Sequence, residues 1–99
     1  MYARTATFEG VDPDHVAEEA KTIRSQMESG DGPPEGLEDA KGILMFLDRE
    51  NRRSLITVLF DTEEGMRRGD EALNRMNPET GEGKRSSVGF YEVPLDLRR

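Results

Sequence analysis

Two apolar stretches, residues 43–47 and 55–60, flank a polar turn and together predict an antiparallel β-hairpin. Side chains alternate between the two sides of a strand, so Ile43 and Met45 face one way and Leu44 faces the other. The second stretch divides in the same manner, which makes both sides of the hairpin apolar. A sheet in a small soluble domain usually keeps one polar side in water, so this hairpin requires a cover on each side.

The length of 99 residues fits one domain, spanning residues 1–99, with little stability to spare. The absence of cysteine excludes a disulfide scaffold, a thiolate zinc site and a cysteine nucleophile. No apolar run is long enough to span a bilayer, and the start of the chain lacks the apolar core of a signal peptide. We therefore expect a cytoplasmic protein with no membrane partner.

The charge of the chain is acidic and unevenly distributed. Residues 1–50 hold 5 Lys and Arg against 12 Asp and Glu, and this half carries the whole net charge of −7. A negative net charge repels phosphate backbones, and the basic pairs of the second half stand beside acids or in a turn. Nucleic acid is therefore not an expected partner.

The segments around the hairpin predict two more strands and two helices. Residues 2–8 and 87–93 have the composition of strands. Asp12 followed by proline predicts a helix N-terminus, and the helix should run over residues 13–29. A second helix should begin near residue 62 and end at Asn77-Pro78, with polar loops over residues 30–36 and 79–86.

Each helix has one apolar stripe. In the first helix the stripe consists of Val16, Ala20, Ile23 and Met27, and in the second of Met66, Leu73 and Met76. Gly65 and Gly69 each weaken the second helix by up to about 1 kcal/mol relative to alanine. They therefore indicate a close approach to a sheet, a ligand or another chain.

The order of elements is strand, helix, strand, strand, helix, strand. This βαββαβ order predicts an α+β, ferredoxin-like fold in which both helices cover one face of a four-stranded antiparallel sheet. The other face is left bare, and each large apolar side chain exposed there costs on the order of 1.5–3 kcal/mol. An identical sheet is the simplest cover, so we expect a homodimer through the sheet face.

Three segments, residues 3–10, 42–50 and 54–64, resemble the dimeric α+β barrel superfamily and are most similar to the antibiotic biosynthesis monooxygenase-like domains. The last strand, with Tyr91-Glu92-Val93, is similar too, so the resemblance covers nearly the whole chain. Members include cofactor-independent oxygenases acting on phenolic polyketides, haem-degrading enzymes and many proteins without known activity. The resemblance implies a ligand cavity between the sheet and the helices of each subunit.

The resemblance also indicates residues to consider for catalysis. Haem-degrading members use a histidine on the later helix and a tryptophan beside the haem, and residues 60–77 contain neither. Cofactor-independent members place Asn, Trp, Tyr and Arg around a phenol, and Phe60 here takes the place of the tryptophan. The residues here that could take the other places are Tyr91, Asn74 and Arg75. Arg4 on the first strand is added to them as a fourth catalytic candidate.

A ligand pocket is expected beside the second helix, and its predicted lining is Phe60, Met66, Tyr91 and Thr5. Arg4 and Thr5 are candidates because a polar residue on a strand that ought to be buried needs a partner. The alternative is that the two lie on an exposed face. For Tyr91 and Met66 the alternative is simple packing.

His15 and Glu19 share a helix face and are compatible with a metal site or an acid–base pair. The chain has no second histidine, however, and acids are favoured at a helix N-terminus in any case. We therefore expect neither a metal nor a cofactor. Two hypotheses remain: a cofactor-independent monooxygenase-like enzyme handling a small aromatic or polyketide-like molecule, and a non-catalytic dimeric domain for ligand binding or assembly.

Overall fold

The computed structural model describes residues 1–30, 37–76 and 83–97. Its elements, in chain order, are β1 (Tyr2–Glu9), α1 (Pro13–Glu28), β2 (Ala40–Asp48), β3 (Arg53–Phe60), α2 (Glu63–Met76) and β4 (Lys84–Glu92). This is the predicted order of strands and helices. Neither helix is both long and apolar enough to cross a membrane within the ranges just given.

The four strands form one antiparallel sheet in the order β2-β3-β1-β4. The first strand of the chain therefore lies at the centre, where Arg4 pairs with Val58 of β3 on one side and with Phe90 of β4 on the other. The ferredoxin-like α+β fold is confirmed.

Both helices pack on the same side of this sheet. Val16 of α1 joins a buried cluster with Ala6 and Phe8, while Met66 of α2 joins another that contains Phe60. No helix of the described residues packs on the opposite side, which we refer to as the open face. By strand alternation and register, the open face includes Ala3, Thr5, Leu44, Phe46, Leu55, Thr57, Leu59 and Tyr91.

Polar side chains cap both helix N-termini, and the cap of α1 is the predicted one. The Asp12 carboxylate accepts a hydrogen bond from the backbone N–H of Asp14 at 3.1 Å, and Pro13 occupies the first helical turn. At the start of α2, the Thr62 hydroxyl accepts from the backbone N–H of Gly65 at 3.0 Å.

The turn between β2 and β3 is held by side-chain hydrogen bonds and by contact with the β1–α1 junction. Asp48 accepts from the backbone and the side-chain amide of Asn51 at 3.1 and 2.8 Å, and these bonds lower the pKa of its carboxyl below the ordinary 3.8. Arg52 adopts a φ of 52°. Its carbonyl accepts from the Val11 N–H, and its Nε donates to the Val11 carbonyl, both at 3.0 Å.

All four strands are longer than predicted, and β2 and β4 differ most at their starts. β2 begins at Ala40 instead of residue 43, and β4 begins at Lys84 instead of residue 87. The extension of β4 follows a β-bulge opposite Thr7 and Phe8, beyond which Lys84 pairs with Glu9. The predicted loop at residues 31–36, the helix end at 77–78, the loop at 79–82 and the side chain of Met76 fall outside the described part of the chain.

Candidate functional site

A groove with a volume of about 470 Å³ opens between α1 and β2. Apolar side chains from both elements form its walls, and charged side chains of α1 form its rim. The walls are Ala20, Ile23, Met27, Ile43 and Met45, and the rim is Lys21, Arg24 and Glu28. Both its size and its mixture of apolar walls with a few polar groups are typical of small-molecule sites.

The groove exists because only the first half of α1 packs closely on the sheet. Val16 is buried in the core, whereas Met27, three turns further along the same stripe, is 46% exposed. The predicted apolar stripe is correct in direction, since its members face the sheet. Its last three members, however, line the groove instead of closing against β2.

The space beside α2, where a pocket was predicted, is filled by the core. Phe60 and Met66 are both buried there. A Cβ atom built on Gly69 would lie only 2.5 Å from Cζ of the Phe60 ring, so the glycine allows α2 to approach β3 closely. Of the three alternatives for this glycine, the sheet contact is correct.

The other two predicted pocket residues, Thr5 and Tyr91, lie on the open face. The Thr5 hydroxyl is 3.0 Å from that of Thr57 on β3. Tyr91 is 58% exposed, and its hydroxyl lies close to Gly89 two residues earlier. Phe60 and Met66 are therefore on one side of the sheet, and Thr5 and Tyr91 on the other. The prediction of one shared pocket is wrong, because strand alternation separates its members.

Among the catalytic candidates, the structure brings Arg4 and Asn74 together. Arg4 is only 3% exposed and donates from Nε to Oδ1 of Asp70 at 2.7 Å and from Nη2 to Oδ1 of Asn74 at 3.3 Å. Arg85 donates to the same Asn74 oxygen at 2.7 Å. The alternative of an exposed Arg4 is therefore wrong, and Asp70 is a partner that the sequence interpretation missed. Asp70 stands four residues before Asn74, which places both side chains on one face of the helix, and this spacing could have indicated the partner.

The remaining candidates lie apart from this cluster. Tyr91 is on the open face, and Arg75 is exposed in the last turn of α2. His15 is exposed in the first turn of α1. Within the described residues, no three His, Asp or Glu side chains gather closely enough to hold a metal ion. The structure thus offers two distinct features, the apolar groove and the cluster in which buried Arg4 meets Asp70 and Asn74.

Comparison with known proteins gives matches among solved structures only. No protein family and no curated protein matches the sequence. An arginine-to-serine mutant of MhuD with two manganese protoporphyrin IX bound per active site matches with a TM-score of 0.60 and 13% identity, over 100% of both chains. The heme-degrader MhuD from Mycobacterium tuberculosis, with two hemes bound in its active site, matches with a TM-score of 0.55 and 13% identity over 97% of this chain and 99% of its own.

This chain shares the fold of MhuD, with two helices on one face of a four-stranded antiparallel sheet. The resemblance found in the sequence is confirmed at the level of the fold. At 13% identity the likeness concerns the path of the backbone, and the chemistry must be argued from this chain's own side chains.

Proposed function

We propose that this chain forms a homodimer of the dimeric α+β barrel type, in which each subunit binds a small aromatic or polyketide-like molecule in the groove between α1 and β2. The groove itself supports this proposal, because its volume is about 470 Å³ and five of the side chains that line it are apolar. Two of the five are methionines, whose flexible thioethers adapt to ligands of irregular shape. A cytoplasmic location stays a prediction.

The similar solved structures hold heme in one case and manganese protoporphyrin IX in the other, so the fit of haem to this groove needs a test. Haem iron in proteins is commonly held by His, Cys, Met or Tyr side chains. The chain has one histidine, His15, which is not part of the groove lining, and it has no cysteine. The lining also holds no tyrosine, and its two methionine sulfurs are weak ligands on their own. The residues do not fit a haem site, and we propose no haem chemistry.

Binding without catalysis is favoured over a cofactor-independent monooxygenase-like activity. The likeness of fold to the heme-degrader MhuD supports the enzyme as the second candidate. None of the catalytic candidates belongs to the groove lining, however; they are Tyr91, Asn74, Arg75 and Arg4. Oxygen consumption by the purified protein in the presence of a phenolic compound would favour the enzyme, and its absence with a compound shown to bind would favour the binding protein.

A second copy of the chain is the proposed cover of the open face. Leu44, Phe46 and Tyr91 are exposed there, and leaving them in water is costly. One pair of charges at its edge already lies together, with Nε of Arg53 3.4 Å from Oε1 of Glu9. An apolar patch with its own charges paired suits an identical patch, which is what a twofold dimer presents.

The dimer is tested by placing a charge on the open face. Phe46→Asp is expected to convert the dimer into a monomer at micromolar concentration, because the interface would then bury an unpaired carboxylate. Phe90→Asp is the matched control: the two phenylalanines are 51% and 50% exposed, but Phe90 points to the helix side of the sheet. Sedimentation velocity measures both. A monomeric wild-type protein, or equal effects of the two variants, would contradict the proposed interface.

The groove is tested by filling it. Ala20→Phe places a ring inside the groove and is expected to weaken the binding of 2-naphthamide by at least about tenfold, since the ligand and the new ring would occupy the same space. Gln26→Phe adds the same ring at an exposed position of α1 outside the lining. Isothermal titration calorimetry compares the two, and thermal unfolding establishes that both are folded. Unchanged binding by folded Ala20→Phe would exclude the groove as the site.

A further inference from the structure

The rim of the groove carries a basic side chain without an acidic partner in the described ranges. Four of the five Lys and Arg in residues 1–50 form ion pairs: Arg4 with Asp70, Lys21 with Glu18, Lys41 with Asp61, and Arg49 with Asp14. The fifth is Arg24, which lies exposed at the groove and pairs with no acid that the structure describes. In the half of the chain that carries the whole negative charge, this arginine has a positive charge available for a ligand.

Lys21 lies on the same rim, one helical turn before Arg24. Its pair with Glu18 spans 3.4 Å between side chains that are 75% and 73% exposed, and pairs of this kind contribute little to stability. An anion can therefore replace Glu18 as the partner of the ammonium group at small cost. Among the lining residues that the structure describes, Glu28 is the acid, so two positive charges there face one negative charge.

We infer that the groove selects amphiphilic anions, which place an apolar ring system between α1 and β2 and a carboxylate against Arg24 and Lys21. This inference rests on the proposed function, because it specifies the ligand class of the same groove. A guanidinium group matches a planar carboxylate with two parallel N–H donors, and the ammonium group adds a nearby point charge. The net charge of −7 opposes such a ligand only weakly, because salt screens exposed charges beyond about 8 Å at physiological ionic strength.

Two probes with the same ring system, one charged and one neutral, separate the contribution of the carboxylate to binding from that of the apolar rings. The wild-type protein is expected to bind 2-naphthoate about tenfold more tightly than neutral 2-naphthamide, with the preference decreasing as salt is added. Arg24→Gln is expected to lower the affinity for naphthoate about tenfold more than the affinity for the amide, so that the two affinities become nearly equal. Arg49→Gln is the matched control, because this exposed arginine pairs with Asp14 outside the groove lining. Calorimetric titration measures each affinity.

The outcomes distinguish this inference from the proposed function. If neither probe binds the wild-type protein, the groove is not a site for this class of molecule and both proposals fail. The anion inference is wrong if the two probes bind equally. It is also wrong if the preference for naphthoate persists in a folded variant that combines Arg24→Gln with Lys21→Gln. In both cases the apolar groove remains a binding site. A preference that Arg24→Gln removes and Arg49→Gln retains supports it.

Discussion

Asp70→Ala is expected to lower the free energy of unfolding by about 3 kcal/mol, because it leaves the guanidinium of Arg4 without its countercharge. Arg4 is 3% exposed, so water cannot easily replace the lost carboxylate. Asp70 itself is 24% exposed, which places the expected cost at the lower end of the range for a broken buried pair. Urea unfolding at a fixed protein concentration measures the change.

Glu63→Ala is the matched control for this variant. It removes another acid of α2, and the partner of this acid, Arg67, is 74% exposed. Such exposed pairs contribute about 0.3–0.5 kcal/mol to the free energy of unfolding. A loss in Asp70→Ala no larger than that in Glu63→Ala would show that the Arg4–Asp70 pair does not hold α2 on the sheet. A large loss in Asp70→Ala alone would assign Arg4 a structural role, which is what its buried position indicates.

Gly69→Ala is expected to destabilise the protein by about 1–3 kcal/mol, even though alanine is the better helix former. The added methyl group would lie 2.5 Å from Cζ and 2.8 Å from Cε1 of Phe60. Phe60 is completely buried, so its ring can move away only by displacing other core side chains. Urea unfolding at the protein concentration used for Asp70→Ala gives the comparison.

Gly65→Ala is the control on the same helix. Its added methyl group would lie 3.1 Å from the Thr62 hydroxyl and 3.3 Å from Cβ of Asp39, and both of those residues are exposed and able to shift. Its stability should stay within about 1 kcal/mol of the wild type, since the gain in helix propensity offsets the tighter contact. Equal stabilities of the two variants would contradict the close contact between α2 and Phe60. Partial rescue of Gly69→Ala by Phe60→Leu would support it.

Local patterns in the sequence predicted the fold well. Alternation in the hairpin placed Ile43 and Met45 on one side of the sheet and Leu44 on the other, and the strand register confirms this division. Asp12 and Pro13 marked the start of α1. These features depend on neighbours within a few positions in the chain, which is why they can be read without a structure.

The candidate sites depend on distant residues and were predicted less well. Arg4 and Asp70 are 66 positions apart, so their contact follows only from the docking of α2 against β1. The resemblance implied a cavity between the sheet and the helices, but its position beside α1 was missed for a related reason. The stripe containing Ile23 identifies the side of α1 that faces the sheet, but the gap left there depends on the volumes of side chains from two elements together.

The most direct test of the proposed function is a methyl NMR titration of the wild-type protein with 2-naphthamide. We predict saturable shifts of the methyl signals of Ile23, Met27, Ile43 and Met45, which line the groove. The signals of Leu44 and Leu55 on the open face should stay in place. Shifts confined to the open face, or no shift of the groove methyl groups at concentrations where calorimetry detects binding, would contradict the assignment of the groove as the ligand site.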